Sequence, residues 1–359
     1  MKLHSIQHLR AIAALAVVGF HASRSLSDGP PLLDMQAGAY GVDLFFVISG
    51  FIMYWTTRRD DVATGGFLAR RLIRIAPLYL ILTTLLFGIA LALPGALRTA
   101  SADPVAYLCS ILFIPHRNPV LHDVTPLLSQ GWTLNYEMLF YAVFSVGLLF
   151  GRNIRLLLVI GAMTFLASLG LMIPAEGVLL HAYTDPIVLE FCFGMLIAAL
   201  FSPMDAHWRA PGAIYGGLAL LAGCMAVGLT AATHEDLARL TRVALIGVPA
   251  ALVVGGGLWA EQAGRLPRLP WLFALGEASY SLYLSHGFVV SAMRKVWLRV
   301  VPVQALWTDA LFTVACMAAS AAAGLLLYRL LERPMTAWLL ARLAGPAGPS
   351  LLRLAPQQG

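Results

Sequence analysis

The sequence predicts an all-α fold, a polytopic integral membrane protein with about ten transmembrane helices. Of its 359 residues, 59% are hydrophobic and only 12% are charged, whereas soluble domains average about 25% charged residues. The mean hydropathy is +0.79. A transmembrane helix needs about 20 predominantly apolar residues, so ten such helices would use most of the chain.

Apolar runs, separated by polar breaks or by breaks containing Pro and Gly, define the ten predicted spans. In chain order they cover 8–24, 41–57, 73–94, 133–150, 154–173, 185–201, 211–231, 239–260, 271–292 and 307–331. The longest connection is 95–131, whose apolar piece 105–114 is too short to cross a bilayer and is expected at the interface. We expect one transmembrane domain over 1–342 and a loosely ordered cytoplasmic tail over 343–359.

The distribution of basic residues predicts that both chain ends lie in the cytoplasm, the N-in and C-in arrangement. With the N-terminus inside, 16 of the 24 Lys and Arg residues fall on the cytoplasmic side, which agrees with the positive-inside rule. The net charge of +6 does not indicate nucleic acid, because the basic residues lie between apolar runs and form no exposed stripe. Membrane lipid headgroups or an anionic cytoplasmic cofactor are the expected partners, and no metal site is expected.

Ionisable residues inside predicted spans are candidate functional residues, because a charge is costly in lipid. Arg10 and His21 lie eleven residues apart in the first span. Eleven helical steps of about 100° bring them to one face, about 16 Å apart along the axis. Arg10 is therefore predicted near the inner end of this helix and His21 near its outer end.

The predicted topology places four ionisable residues, His21, Asp43, Glu137 and His286, in the outer half of the membrane. Histidine exchanges protons near neutral pH, so His21 is the candidate general base, with Asp43 or Glu137 orienting it and balancing its charge. Simpler interpretations stay open for the single residues. Asp43 would also serve as a cap at its helix N-terminus, and a lone histidine in an apolar helix is often a packed, hydrogen-bonded residue.

A second set of ionisable residues is predicted at cytoplasmic depth. Arg70, Arg71 and Arg74 mark the predicted start of the third span, and Arg71 and Arg74, at i and i+3, share a helix face. With Arg10 they would form a basic site, since arginine binds phosphate through its planar fork. Acyl-CoA carries several phosphates and an arm long enough to join the two layers. The positive-inside rule alone is the simpler explanation of these arginines.

Motifs along the chain together resemble the membrane-bound acyltransferase-3 family. The segment 8–21 contains an Arg, ten residues and then a His, like that family's opening motif. The second and third motifs resemble 41–51 and 70–79, and the later ones match 132–141, 279–286 and the triplet Glu332-Arg333-Pro334. Within the family, 131–141 and 183–186 are most similar to exopolysaccharide O-acetyltransferases of the ExoZ type.

The resemblance implies an acyl-CoA donor, usually acetyl-CoA, and a carbohydrate hydroxyl as acceptor. The acceptor would be a cell-surface or secreted polysaccharide or its lipid-linked precursor, and the enzyme would lie in the bacterial inner (plasma) membrane. Arg10 and His21 match the family's essential first-helix pair, and Arg71 and Arg74 match its arginine motif. The candidate substrate-binding residues are Trp132, Tyr136, Tyr283 and His286.

Two mechanisms and two other functions stay open at this point. The chain has no GxSxG motif and no well-placed cysteine, so direct transfer is favoured over an acyl-serine intermediate, with transfer through His21 itself as the other route. A transporter or flippase for a polar or lipid-linked sugar is the alternative function, although the chain lacks the sequence repeats that many transporters show. A structural or receptor role would leave the layered ionisable residues unexplained.

Overall fold

The computed structural model describes residues 3–26, 31–58, 64–94, 97–172, 177–201, 240–301 and 305–344. All regular structure within these ranges is helical, and no β-strand occurs among them. The predicted all-α class is therefore confirmed for this part of the chain.

The described residues contain thirteen α-helices. In chain order they are α1 (His4–Ser23), α2 (Gly41–Thr56), α3 (Thr64–Ala92), α4 (Pro104–Ile111), α5 (Trp132–Gly147), α6 (Arg152–Met172), α7 (Val178–Tyr183), α8 (Leu189–Leu200), α9 (Val248–Gln262), α10 (Pro270–Glu277), α11 (Ser279–Val300), α12 (Leu306–Leu327) and α13 (Arg333–Ala344). Short 3₁₀ segments cover Gln36–Tyr40, Ser129–Gly131 and Pro186–Val188, and π-helical segments cover Val243–Gly247 and Tyr328–Glu332.

Within the described ranges, six helical stretches are long and apolar enough to cross a bilayer. They are Gln36–Thr56, Thr64–Ala92, Arg152–Met172, Val178–Leu200, Leu240–Gln262 and Leu306–Leu343. The chain is accordingly a membrane protein. The number of ten spans and the N-in, C-in arrangement stay predictions. The predicted span 211–231 and the predicted tail from 345 onwards lie outside the described residues.

The third and ninth predicted spans are among those whose bounds differ from the observed helices. The helix that contains the third span begins earlier than the predicted residue 73, because α3 begins at Thr64 and contains Arg70, Arg71 and Arg74. Hydropathy locates the first apolar residues, whereas helical hydrogen bonding also continues through arginines, which are good helix formers. The predicted span 271–292 is also divided, since α10 ends before Ala278, where φ is −87° and ψ is 3°, and α11 then continues to Val300.

The described residues fall into two compact units. The first unit contains the chain up to Phe45 and the part from Leu252 to Ala344, and the second contains the part from Phe46 to Phe201 and the part from Leu240 to Ala251.

In the first unit, α1 packs against α10, α11 and α12. Ala14 and Val18 of α1 and Leu282 of α11 are fully buried and form one apolar cluster. Small side chains on α1 let the neighbouring helices approach closely, which is how helices commonly pack in membranes. This packing sets the positions of Arg10 and His21, which α1 carries, relative to α11, which carries His286.

The N-terminus of α1 is capped by a carboxylate that is distant in sequence. Glu261, at the end of α9, accepts hydrogen bonds from the backbone N–H of His4 at 2.8 Å and of Ser5 at 2.9 Å. The Ser5 hydroxyl donates to the same carboxylate at 2.6 Å. Glu261 thus satisfies donors that every helix N-terminus leaves open, and its charge complements the positive end of the helix dipole.

In the second unit, an aromatic core joins parts of α2, α5 and α8. The ring of Phe191 lies 4.9 Å from that of Phe46 and stacks at 4.4 Å on that of Phe140. Gly194 permits the close approach of α8 to α2, because a Cβ there would collide with the backbone carbonyl of Val47. This core fixes α5, which carries Trp132, Tyr136 and Glu137.

Candidate active site

His21 and His286 contact each other in the first unit. Their ring centroids are 5.1 Å apart and their planes are inclined at 36°. His21 lies in the last turn of α1 and is exposed, whereas His286, on α11, is fully buried. The two rings therefore differ in exposure, and the predicted roles of His21 as base and of His286 in substrate binding stay predictions.

The orientation of His286 is fixed by its own helix. Its Nδ1 lies 2.6 Å from the backbone carbonyl oxygen of Tyr283. A carbonyl oxygen can only accept a hydrogen bond, so Nδ1 carries the proton in this arrangement, and in the neutral ring Nε2 is the acceptor. Nε2 is buried and has no hydrogen-bond partner among the described residues. The side chain of Tyr283 is also buried, with its ring 6.0 Å from His286 and 5.9 Å from Phe45.

Arg10 and Asp43 are the other predicted catalytic residues in the first unit. Arg10 is buried on α1, and Asp43 is fully buried in the first turn of α2. Charged side chains are rarely buried unless they are paired, so each of these positions is strongly constrained by its surroundings. The position of Asp43 in the first turn also agrees with the simpler interpretation, stabilisation of the helix N-terminus.

Glu137 forms a polar cluster within the second unit. Its Oε1 accepts hydrogen bonds from the Ser49 hydroxyl at 3.0 Å and from the Tyr141 hydroxyl at 3.1 Å. Arg71 and Arg74 lie within electrostatic range of the same carboxylate. Glu137 and the two arginines thus interact electrostatically within this unit, and the predicted role of Glu137 in orienting His21 stays a prediction.

Arg71 and Arg74 lie on one side of α3, and both are partly buried. The guanidinium of Arg71 donates to the Thr56 hydroxyl at 3.4 Å and lies 5.6 Å from the ring centroid of Phe67. Arg70, the neighbouring residue in the chain, is exposed. The structure thus distinguishes the partly buried, hydrogen-bonded Arg71 from the exposed Arg70, and the predicted phosphate-binding role of Arg71 and Arg74 stays a prediction.

The predicted substrate-binding residues Trp132 and Tyr136 pack around Phe46 in the second unit. Their rings lie 6.3 Å and 6.1 Å from the ring of Phe46 and 5.7 Å from each other. Both are partly buried at the start of α5. The arrangement is an aromatic cluster whose two partly buried members carry a polar group each, the indole N–H and the phenol hydroxyl, and their predicted role in substrate binding stays a prediction.

Sequence reasoning missed several polar partners of these residues. Ser49 and Tyr141, which hold Glu137, were not among the candidates. In the first unit, the Ser281 hydroxyl hydrogen-bonds to the carboxylate of Glu332, and both side chains are buried. Each of these residues lies in one of the motifs quoted above, but no spacing rule connects residues of different helices.

Arg155, on α6 in the second unit, is a buried basic residue. Its exposed fraction is only 1%. Its guanidinium donates to the backbone carbonyls of Thr57 at 2.6 Å and Phe150 at 3.4 Å. Arg155 thus satisfies carbonyls at the ends of helices, which a count of basic residues does not detect.

The chemistry available in the first unit is proton transfer by an exposed imidazole of fixed position. The chemistry available in the second unit is anion binding by partly buried guanidinium groups beside an aromatic surface. A general base and an anion-binding site are the elements that group transfer from a phosphate-bearing donor requires.

Comparison with known proteins identifies the chemistry. Residues 3–329 match a family model described as an acyltransferase domain. The exopolysaccharide production protein ExoZ of Rhizobium meliloti (strain 1021) is 36% identical over 301 residues, which cover 83% of this chain and 89% of that protein. Acyltransferase MdmB of Streptomyces mycarofaciens is 27% identical over 369 residues, covering 93% and 92% of the two chains.

A longer relative extends the comparison. O-acetyltransferase OatA of Staphylococcus aureus (strain NCTC 8325 / PS 47) is 25% identical over 369 residues, which cover 93% of this chain and 57% of that protein. No solved structure gives a significant match. The family model covers nearly the whole chain and includes both the histidine pair and the arginine cluster, so this protein belongs to the acyltransferase-3 family and is an acyltransferase.

Proposed function

We propose that this acyltransferase moves an acetyl group from acetyl-CoA, bound from the cytoplasm, to a hydroxyl of a cell-surface or secreted polysaccharide or of its lipid-linked precursor. The multi-pass chain would lie in the bacterial inner membrane. The proposal is supported by relatives named as an exopolysaccharide production protein and as O-acetyltransferases. It also agrees with the separation of proton-transfer and anion-binding chemistry between the two sets of residues.

The observation that carries the proposal is the exposed ring of His21 packed on the buried ring of His286. In the proposed step, His21 takes the proton of the acceptor hydroxyl as its oxygen attacks the thioester carbonyl carbon. A C–O bond forms and the C–S bond breaks. CoA leaves as the thiolate, which receives a proton, and the acetyl ester stays on the carbohydrate.

His286 and Asp43 are proposed to act through His21. His286 is fully buried, and it is proposed to hold the His21 ring in place from behind rather than to bind the substrate, the role that the sequence suggested. Asp43, fully buried in the same unit, is the carboxylate proposed to balance the charge that His21 gains when it takes the proton. Both are positioning residues in this scheme.

The arginines are proposed to bind the phosphates of the donor. Arg71 and Arg74 are the main candidates, because both are partly buried and Arg71 is also hydrogen-bonded to Thr56. Arg10 is proposed to contribute as well. Glu137 would balance their charge when the donor is absent, and phosphate would take over this role when the donor binds. Trp132 and Tyr136 are proposed to contact the substrate through their aromatic faces.

The test uses purified protein in lipid nanodiscs, acetyl-CoA labelled in the acetyl group, and oligosaccharides from a chemically de-O-acetylated exopolysaccharide of the host bacterium. We expect labelled carbohydrate ester and released CoA thiol in equal amounts, without any ion gradient. A protein that binds CoA but forms no labelled ester with these oligosaccharides would contradict the proposal. Transport of the sugar without ester formation would support the alternative function.

A further inference from the structure

A hydrogen-bonded polar network lies at the C-terminal end of α1. Nη1 of Arg24 donates to Oδ2 and Oδ1 of Asp34 at 3.3 Å and 3.4 Å and to Oε1 of Gln36 at 2.9 Å. The side chains of Arg24 and Asp34 are 45% and 38% exposed. A basic, an acidic and an amide group are thus held together at an accessible position.

Two local contacts position Asp34 and Gln36 beside the C-terminal end of α1. The backbone N–H of Met35 donates to the Ser23 hydroxyl at 3.3 Å, which ties the segment to the end of α1. Gly38 then lies directly against α1, where a Cβ would collide with the carbonyl oxygen of Ala16. Only glycine permits this approach, so the position of the network depends on the sequence at residue 38.

The network adjoins the proposed base. His21 lies in the last turn of α1, and Arg24, three residues later, is the C-cap residue of that helix, which places their side chains side by side. Both residues are exposed. Phe20 lies between them, with its ring 5.0 Å from the His21 ring and 5.7 Å from the Arg24 guanidinium carbon. A molecule that touches His21 from the accessible side therefore also meets this network.

The hydrogen-bonding capacity of the network is only partly used. Every hydrogen bond from the Arg24 side chain to another described residue uses Nη1. Within this part of the chain, the N–H groups on Nη2 and Nε can therefore donate to a ligand. A carboxylate offers about four lone-pair sites, and two contacts from one nitrogen leave Asp34 with free capacity. The Gln36 amide adds further donors.

The charge of the network selects the class of ligand. Arg24 is neutralised by Asp34, so an anionic phosphate has less to gain here than at an unpaired arginine. Donors and acceptors lie side by side, and a hydroxyl both donates and accepts. Neighbouring hydroxyls of a sugar ring match this pattern, and the partly exposed Phe20 ring adds an apolar surface.

We propose that Arg24, Asp34 and Gln36 form the acceptor subsite, which binds hydroxyls of the carbohydrate and presents one of them to His21. The inference rests on the proposed role of His21 as the base. The simpler interpretation is a surface ion pair that ties the segment 31–40 to α1. An exposed ion pair contributes little to stability. The two interpretations are therefore distinguished by acceptor recognition, which the subsite requires, and not by the stability of the protein.

The experiment compares Arg24→Gln, Asp34→Asn and the charge-reversed double variant Arg24→Asp with Asp34→Arg in the nanodisc assay. Arg299→Gln is the matched control, since Arg299 is exposed at the C-terminal end of α11 in the same unit. For each protein the apparent KM is measured separately for the oligosaccharide and for acetyl-CoA, together with the thermal unfolding midpoint.

The acceptor subsite predicts an oligosaccharide KM raised about tenfold or more in each single variant, the usual effect of losing a hydrogen bond to a charged group. The acetyl-CoA KM, the unfolding midpoint and the Arg299→Gln control should stay unchanged. The charge-reversed variant restores an ion pair but places the donors and acceptors differently, so it should keep the raised KM. Recovery of the normal KM by charge reversal would establish the tether and overturn the subsite.

The failure of this inference is distinguishable from failure of the proposed function. Wild-type protein that acetylates the oligosaccharides, with an unchanged oligosaccharide KM in Arg24→Gln and Asp34→Asn, would refute only the acceptor subsite. Wild-type protein that binds acetyl-CoA and acetylates none of the oligosaccharides would refute the proposed function, and the subsite with it.

Discussion

The buried ring of His286 lies 5.1 Å from the exposed ring of His21, and the two planes are inclined at 36°. His286 is in turn fixed by its hydrogen bond to the Tyr283 carbonyl at 2.6 Å. The ring of the proposed base is thus packed against a buried residue whose own position is fixed by its helix. Small displacements of a reacting group have large kinetic effects, so this contact is expected to matter for the rate of transfer rather than for binding.

The variant His286→Phe tests the positioning role. Phenylalanine keeps a buried aromatic ring of similar size but loses the Nδ1–H donor, so its ring is no longer held by Tyr283. We expect kcat to fall about 10–100-fold while the KM for acetyl-CoA stays the same. The unfolding midpoint serves as the control for folding. An unchanged kcat in a stably folded variant would show that His286 only fills space.

Arg71 and Arg70 form a matched pair for testing donor binding, because they are neighbours in the chain and differ in burial. We expect Arg71→Ala to raise the Kd for CoA about tenfold or more, the effect of losing a charge-assisted hydrogen bond. Arg70→Ala should change it little, since Arg70 is exposed and its interaction is screened. Isothermal titration with CoA measures both, and equal effects of the two variants would contradict a specific phosphate site.

Glu137→Gln is expected to destabilise the protein when CoA is absent and to increase the stabilisation that CoA binding provides. Without the carboxylate, the partly buried arginines lose their compensating charge, which destabilises the folded protein by about 1–3 kcal/mol. Bound CoA supplies negative charge and restores part of the loss. The rise in unfolding midpoint on adding CoA should therefore be larger in Glu137→Gln than in wild type.

Tyr141→Phe is the control for this comparison. It removes one hydrogen bond to Glu137 but leaves the charge in place, so its response to CoA should match that of wild type. A smaller midpoint shift in Glu137→Gln than in wild type would argue that Glu137 does not balance the arginines.

The cap at the N-terminus of α1 gives a prediction for stability. Glu261→Ala removes the acceptor for the backbone N–H groups of His4 and Ser5, at a cost of about 1 kcal/mol, with a further contribution from the helix dipole. We expect a lower unfolding midpoint for Glu261→Ala and an intermediate value for Glu261→Gln, which keeps one acceptor oxygen. Equal midpoints in all three proteins would show that water replaces the cap.

The sequence predicts the helical class because long apolar runs leave no alternative in a bilayer. It also predicts His21 and His286 at one depth, since each position follows from counting residues along its own helix. The structure adds the contact between their rings, which depends on the packing of α1 against α11. Counting along single helices gives depth but not the rotation of one helix relative to another.

The parts that sequence reasoning missed are those in which partners come from distant segments. Glu261 caps a helix that begins 257 residues earlier, and Ser49 contacts Glu137 across 88 residues. Neither pair has a periodic or local signature. The start of α3 at Thr64 was missed for a different reason, because hydropathy reports where apolar residues begin and not where helical hydrogen bonding begins.

The most direct test of the central claim, that His21 is the base of an acetyl transfer to carbohydrate, measures the O-acetyl content of surface and secreted polysaccharide by proton NMR. A strain lacking the gene is complemented with wild-type protein or with His21→Ala, and membrane abundance is matched by immunoblot. General bases contribute about 10²–10⁴-fold to rate, so we predict that wild type restores the O-acetyl signal and His21→Ala leaves it at the level of the deletion. Full O-acetylation by His21→Ala would contradict the account.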